Sequence, residues 1–123
     1  MIIPVIKKTD RKDSEMTVHM LDLNEVWYVS VERGKNVVYH TKDGDYYQPS
    51  SMEQVWAFLK MHGYTKTDRG IVVNLSNVTR FDEDLGKLFF DKEVHRHSKF
   101  ATVAFSNIRK LKKLLQSKGK PSD

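Results

Sequence analysis

Cations are the residues of this sequence best placed to do chemistry. Lys66 and Arg69 stand in the run Lys66-Thr67-Asp68-Arg69-Gly70, directly before the wholly apolar Ile71-Val72-Val73. An apolar run of that kind belongs in a core, so the polar run before it reads as a charged loop on a rigid support, the setting in which binding residues concentrate. An ammonium offers anions a point charge, and a guanidinium adds a planar fork that donates in pairs. Further cations fall in three other places: Arg33 and Lys35 beside Asn36, Arg96 between two histidines, and Arg109 and Lys110 just after Ser106 and Asn107. Over 123 residues, 21 Lys+Arg stand against 16 Asp+Glu, a net charge of +5, which favours polyanions or anionic surfaces as partners.

Other chemistries find less support. His95 and His97, with His40 or His62, could offer imidazoles to zinc, but the chain has no cysteine to complete such a site, and the signal is poor. Asp82-Glu83-Asp84 begins like a calcium loop, and Leu85-Gly86 then breaks the ligand alternation. Thr67 beside Asp68 and Arg69 has no base at motif spacing, and there is no glycine-rich phosphate cradle. The expectation is therefore a binding protein, not an enzyme, with neither metal nor cofactor. The absence of cysteine makes a reducing cytoplasm the natural location. Apolar runs are only a handful of residues long, and the Lys7-Lys8 pair follows the first apolar stretch where a signal peptide would have it before. Neither membrane insertion nor a signal peptide is expected.

The elements that must position these cations are mostly strands. One domain is expected at this length. Residues 1–15 read as an arm and linker: 1–6 form a short strand that Pro4 confines to a sheet edge, and 7–15 mix both charges without an apolar residue. Residues 17–21 and 26–31 are β-branched and aromatic runs around a turn at 22–25; 37–41 and 45–48 follow, joined by the hairpin signal Asp43-Gly44. After Pro49, either Ser50 with Glu53 or Ser51 with Gln54 makes a capping box for a short helix, with Met52, Val55, Trp56 and Leu59 on one face and Gly63 past its end. Strands are then expected at 77–81, 87–90 and 100–105, with a turn at 82–86 and a loop at 91–98. From Ser106 a second helix carries an apolar stripe of Ile108, Leu111, Leu114 and Leu115, with Arg109, Lys110, Lys112 and Lys113 on its other faces.

That order of strands, basic loop, Asp-Gly hairpin and capped helix leads into Tyr64, Lys66, Arg69, Val73, Asn74 and Leu75. It resembles the LytTR family of bacterial DNA-binding domains, whose members carry a segment Phe-x-Arg-x-His-Arg-Ser-Tyr-x-Val-Asn-Leu. The likeness spans residues 16–115, leaving the arm at 1–15 and a basic tail at 116–123. It implies a mainly β fold of antiparallel sheets with minor α, one short helix after the first hairpins and one at the C-terminus. Its loops enter successive major grooves of duplex DNA. Family contacts map onto Arg33, Lys35 and Asn36, onto Arg69, and onto Ser106 and Asn107; Lys66, Arg96, Arg109 and Lys110 complete the expected DNA-binding set.

Three departures stand out. Asp68-Arg69-Gly70 replaces the family's His-Arg-Ser, and an aspartate repels phosphates unless it is turned away or accepts from a cytosine amine. Ser106 stands where an arginine is common, so base reading there passes to Arg109 or is lost. The 91–99 loop is longer than a tight hairpin, making Arg96 a substitute phosphate contact. The resemblance implies a transcription regulator on paired direct repeats of double-stranded DNA, homodimeric on DNA, with a regulatory protein partner or a membrane inhibitor compatible with it. Competing readings are an interaction module that kept the fold and lost base reading, and a single-strand binder stacking bases on Trp27, Tyr39, Tyr46 and Tyr47.

Overall fold

Runs of β-branched and aromatic residues produce ten strands among the described residues, which are 1–8, 17–32 and 36–120 of a computed structural model. They are β1 (Ile2–Lys7), β2 (Val18–Asp22), β3 (Val26–Val31), β4 (Val37–Thr41), β5 (Gly44–Gln48), β6 (Tyr64–Asp68), β7 (Ile71–Asn74), β8 (Arg80–Asp82), β9 (Lys87–Phe89) and β10 (Phe100–Thr102). Two helices, α1 (Met52–Met61) and α2 (Ile108–Ser117), complete the chain. Seven strands form one sheet in the order β2-β1-β5-β4-β3-β7-β6, three form a second in the order β10-β9-β8, and every pairing is antiparallel.

Alternation along the large sheet sends its side chains into two cores. One contains Ile3, Val5, Leu21, Val29, Val37, Tyr39, Tyr64 and Val72 with Val55 and Leu59 of α1. The other joins Val73 of the large sheet to Phe81, Leu88 and Ala101 of the small one and to Leu111 and Leu115 of α2. Burying each such side chain contributes about 1.5–3 kcal/mol. Of the two cap registers for α1, Ser51 with Gln54 forms: Gln54 N donates to Ser51 Oγ (3.2 Å) and Ser51 N to Gln54 Oε1 (2.9 Å).

The N-terminal strand differs from expectation. β1 lies inside the sheet, paired along its length with β2 and, at Ile6 and Lys7, with β5. Proline is tolerated there because the ladder to β5 has already ended at Pro4, whose carbonyl accepts from the Gln48 side chain at 3.2 Å. Ile3 and Val5 are core residues, so residues 2–7 are a sheet strand instead of a peripheral arm; residues 9–16, the rest of the expected linker, lie outside the described residues.

The later strands are shorter than the apolar runs suggest. Asn74 accepts from Ser76 N (3.3 Å) and starts a 3-10 turn at Leu75–Asn77, which delays β8 to Arg80. β10 stops at Thr102 because the next two amides bond elsewhere: Val103 N donates to Gly86 O (2.9 Å) and Ala104 N to Thr67 O (2.9 Å). Gly86 has φ +63° and a Cβ there would lie 3.0 Å from Val103 O, so that close approach requires glycine. α2 includes residues 116 and 117 of the expected tail, and Lys120 Nζ donates to Ser76 O (2.9 Å).

Candidate functional site

The polar run at 66–70 is mostly strand. Tyr64–Asp68 forms β6, and only Arg69 and Gly70 make the turn into β7, with Gly70 at φ +69° in the left-handed region. Thr67 within the run is 1% exposed. Its Oγ1 donates to Thr102 O (2.9 Å), and its carbonyl accepts from Ala104 N (2.9 Å) and from Asn107 Nδ2 (3.1 Å). One buried threonine thereby ties the Arg69 turn to the segment that leads into α2. This junction brings Arg69, Ser106, Asn107, Arg109 and Lys110 into one region.

Asp68 is turned onto that junction. Its carboxylate accepts from Thr102 Oγ1 (2.6 Å) and from the backbone N–H of Arg69 (2.8 Å), and these two donors, the hydroxyl first, lower its pKa below the usual carboxylate value. The guanidinium of Arg69 makes no hydrogen bond or ion pair with any described residue. The aspartate's oxygens are engaged, and among the described residues nothing takes up the five donors of the arginine beside it.

The start of α2 is also cationic. Ser106 is exposed within the 3-10 turn Phe105–Asn107 and does not cap the helix. Asn107 holds the cap position without a side-chain cap bond, its amide donating instead to Thr67. Arg109 and Lys110, both exposed, follow in a first turn with no acidic residue. Positive side chains at a helix N-terminus oppose the macrodipole by about 0.3–1 kcal/mol each, an arrangement that an anion relieves. Ser106, Arg109, Lys110, Lys113 and Leu114 line an open groove of about 540 Å³ along this face.

The remaining expected residues are placed differently. Lys66 points to the α1 side of β6, its ammonium 4.7 Å from the centre of the Trp56 ring. Arg33 and Lys35 lie outside the described residues. Asn36 is described; its carbonyl accepts from Glu32 N (3.0 Å), and the pairings Val31 to Val37 and Ser30 to Ile71 put it at the same end of the sheet as the Arg69 turn. Arg96 sits in the loop joining β9 to β10. That loop leaves from the Phe89–Phe100 end of the ladder, whereas the Ser106 segment leaves from the opposite, Lys87–Thr102 end. The structure does not bring Arg96 into the group.

The 91–99 loop has internal work. Lys99 Nζ donates to Thr41 O (2.8 Å) and Asp45 Oδ1 (3.1 Å) and lies 5.9 Å from the Trp27 ring centre. Asp45 also accepts from His40 Nδ1 (3.0 Å), whose Nε2 is 2.7 Å from Ser30 Oγ. With His40 contributing first and Lys99 next, the Asp45 carboxyl is pulled down to about 2. Ser30, His40 and Asp45 thus repeat the order of a hydrolytic triad, unnoticed in sequence although Asp45 faces His40 across the Asp-Gly hairpin. Tyr28 stacks on His40 at 4.1 Å and Lys99 shares the aspartate, so the chain of bonds fastens the 91–99 loop to the sheet. The aromatic residues considered for base stacking are largely packed: Tyr39 is fully buried, Trp27 stacks on Phe90 at 5.5 Å, and Tyr46 meets His19 edge-on. Among the described residues, no His, Asp and Glu side chains group to hold a metal, and no helix is long and apolar enough to cross a membrane.

Comparison with known proteins agrees with this architecture. No curated protein sequence matches the chain. A solved structure, the LytTr DNA-binding domain of a Bacillus cereus protein, superposes with a TM-score of 0.66 at 15% identity, covering 93% of this chain and 95% of that one. The likeness shows the same mainly antiparallel β fold with two helices, one of them C-terminal. Since the family model for the LytTr DNA-binding domain matches residues 16–116, most of the sequence, the chain belongs to that family of DNA-binding domains.

Proposed function

We propose that this chain is a sequence-specific binder of double-stranded DNA that acts as a bacterial transcription regulator. The Arg69 turn and the segment from Ser106 to Lys110 enter one major groove together. Arg33, Lys35 and Asn36 contribute to the next contact; of these, Asn36 lies at the same end of the large sheet as the Arg69 turn. Two copies occupy paired direct repeats about one helical turn apart, so that both lie on the same side of the duplex.

The observation that carries this reading is the Thr67 junction, which fixes an arginine with no side-chain partner among the described residues beside a cationic helix start that lacks a side-chain cap. Such a surface suits phosphates through its helix amides and ammonium groups, and suits a guanine edge through the Arg69 fork. Lysines fix register, and arginine reads. Asp68, held by Thr102, is compatible with that role because its charge is directed into the junction.

Selection of bound fragments from genomic DNA at two salt concentrations tests the proposal. A repeated sequence element should emerge at both, with log affinity falling by about 0.9 per phosphate contact for each tenfold rise in salt. Recovery of fragments without any shared element, or of single strands in preference to duplex, would contradict it.

A further inference from the structure

Phe105 is 92% exposed, more than any other large apolar side chain among the described residues. It is not a loose end. Val103 just before it is buried, Ala104 N is bonded to Thr67 O at 2.9 Å, and Asn107 N closes the turn on Ala104 O at 2.8 Å. The backbone therefore holds an aromatic ring out into water from the most constrained part of the candidate surface. An exposed phenyl ring contributes nothing to folding that a polar residue could not replace, whereas its burial against a partner is favourable.

Resting on the DNA-binding reading above, we infer that Phe105 is a base-reading residue that recognises thymine, its ring packing on the C5-methyl group in the major groove. The neighbours of Phe105 explain why an apolar reader belongs at this place. Ser106 has a single hydroxyl and cannot pair bidentately with a base edge. Asn107 has committed an amide hydrogen to Thr67, which weakens its paired reading of adenine. Arg69, Arg109 and Lys110 address phosphates and guanine. The one major-groove feature that none of these polar groups can recognise is the thymine methyl, and the phenyl ring between them is suited to it.

The test uses the full chain and the duplex recovered by selection, with each thymine replaced in turn by deoxyuridine, which lacks only the methyl. Wild-type protein should lose affinity about fourfold at one or two positions, the effect of one buried methyl-sized group. Phe105→Ala should bind the thymine duplex more weakly than wild type, show no further loss at those positions, and unfold at the wild-type temperature because the ring has no folded-state packing. Phe105→Leu should restore part of the sensitivity. An unchanged deoxyuridine penalty in Phe105→Ala, or an equal loss on thymine and uracil duplexes, would overturn the inference while leaving duplex binding intact. Failure of the wild type to prefer any duplex would overturn both readings.

Discussion

The Arg69 junction and the 91–99 loop look interchangeable as strings of charge, yet the fold treats them in opposite ways. At the junction the neutral groups are paired and the cations are left open: Thr67, Thr102 and Asn107 bond to one another's backbone or side chains, while Arg69, Arg109 and Lys110 face water. In the loop Lys99 is taken up internally, on Asp45 and Thr41, whereas Arg96 has no carboxylate partner among the described residues and meets only the His97 ring. Lys112 of α2 behaves like Lys99, paired with Glu83 at 3.4 Å. Counting basic residues makes these regions equal. What separates them is whether the fold supplies a counter-charge, since a cation already neutralised must break that pair before it can hold a phosphate.

The largest effect that could break this contrast is at Arg69. Arg69→Ala should weaken binding to the selected duplex by about 1–3 kcal/mol and flatten preference at one base position, with unfolding unchanged, as fluorescence anisotropy and thermal melts would report. Lys99→Ala should do the reverse. Removing a partner of a half-buried carboxylate should lower stability by about 1 kcal/mol and leave duplex affinity within twofold, measured by urea titration and by the same anisotropy assay. A loss of DNA affinity in that variant would erase the distinction between the two regions.

Acid should act on the loop's anchor. The folded-state pKa of Asp45 is depressed to about 2, so the stability it contributes is fully present above the unfolded carboxylate value near 4 and is lost as pH falls from there toward about 2. Urea midpoints measured over that window should fall more steeply in the wild type than in Asp45→Asn. The smallest effect is expected at Arg96, on the far end of the β9–β10 ladder from Ser106. Arg96→Ala should lower the salt slope by at most about 0.9, one phosphate contact, without altering sequence preference.

How much of this could be read from residues alone depended on how local the determinants were. The hairpin signalled by Asp43-Gly44, the Ser51–Gln54 box and the apolar stripe of α2 are each set by near neighbours, and each formed, although the hairpin turns on Lys42-Asp43 with Gly44 already paired to Thr41 in β5. β1 was misjudged because the tolerance of Pro4 depends on where β5 ends, a fact of the sheet and not of the dipeptide. β6 was read as a loop because its alternating inward residue, Thr67, is polar; its burial is satisfied by Thr102, 35 positions away. The same long-range bonds remove Phe105 from the last strand, where its type would place it, and expose it beside Ser106. For the site, the sequence identified Arg69, Ser106, Asn107, Arg109 and Lys110 as candidates, but not the threonine that gathers them.

Amide resonances followed by NMR during titration with the selected duplex test the proposed interface most directly. Shifts concentrated at Arg69, Gly70, Phe105, Ser106, Asn107 and Arg109, with residues 91–98 unmoved, are the predicted result. A pattern centred on the 91–99 loop or on β1 and β2, with the Arg69 turn silent, would contradict it.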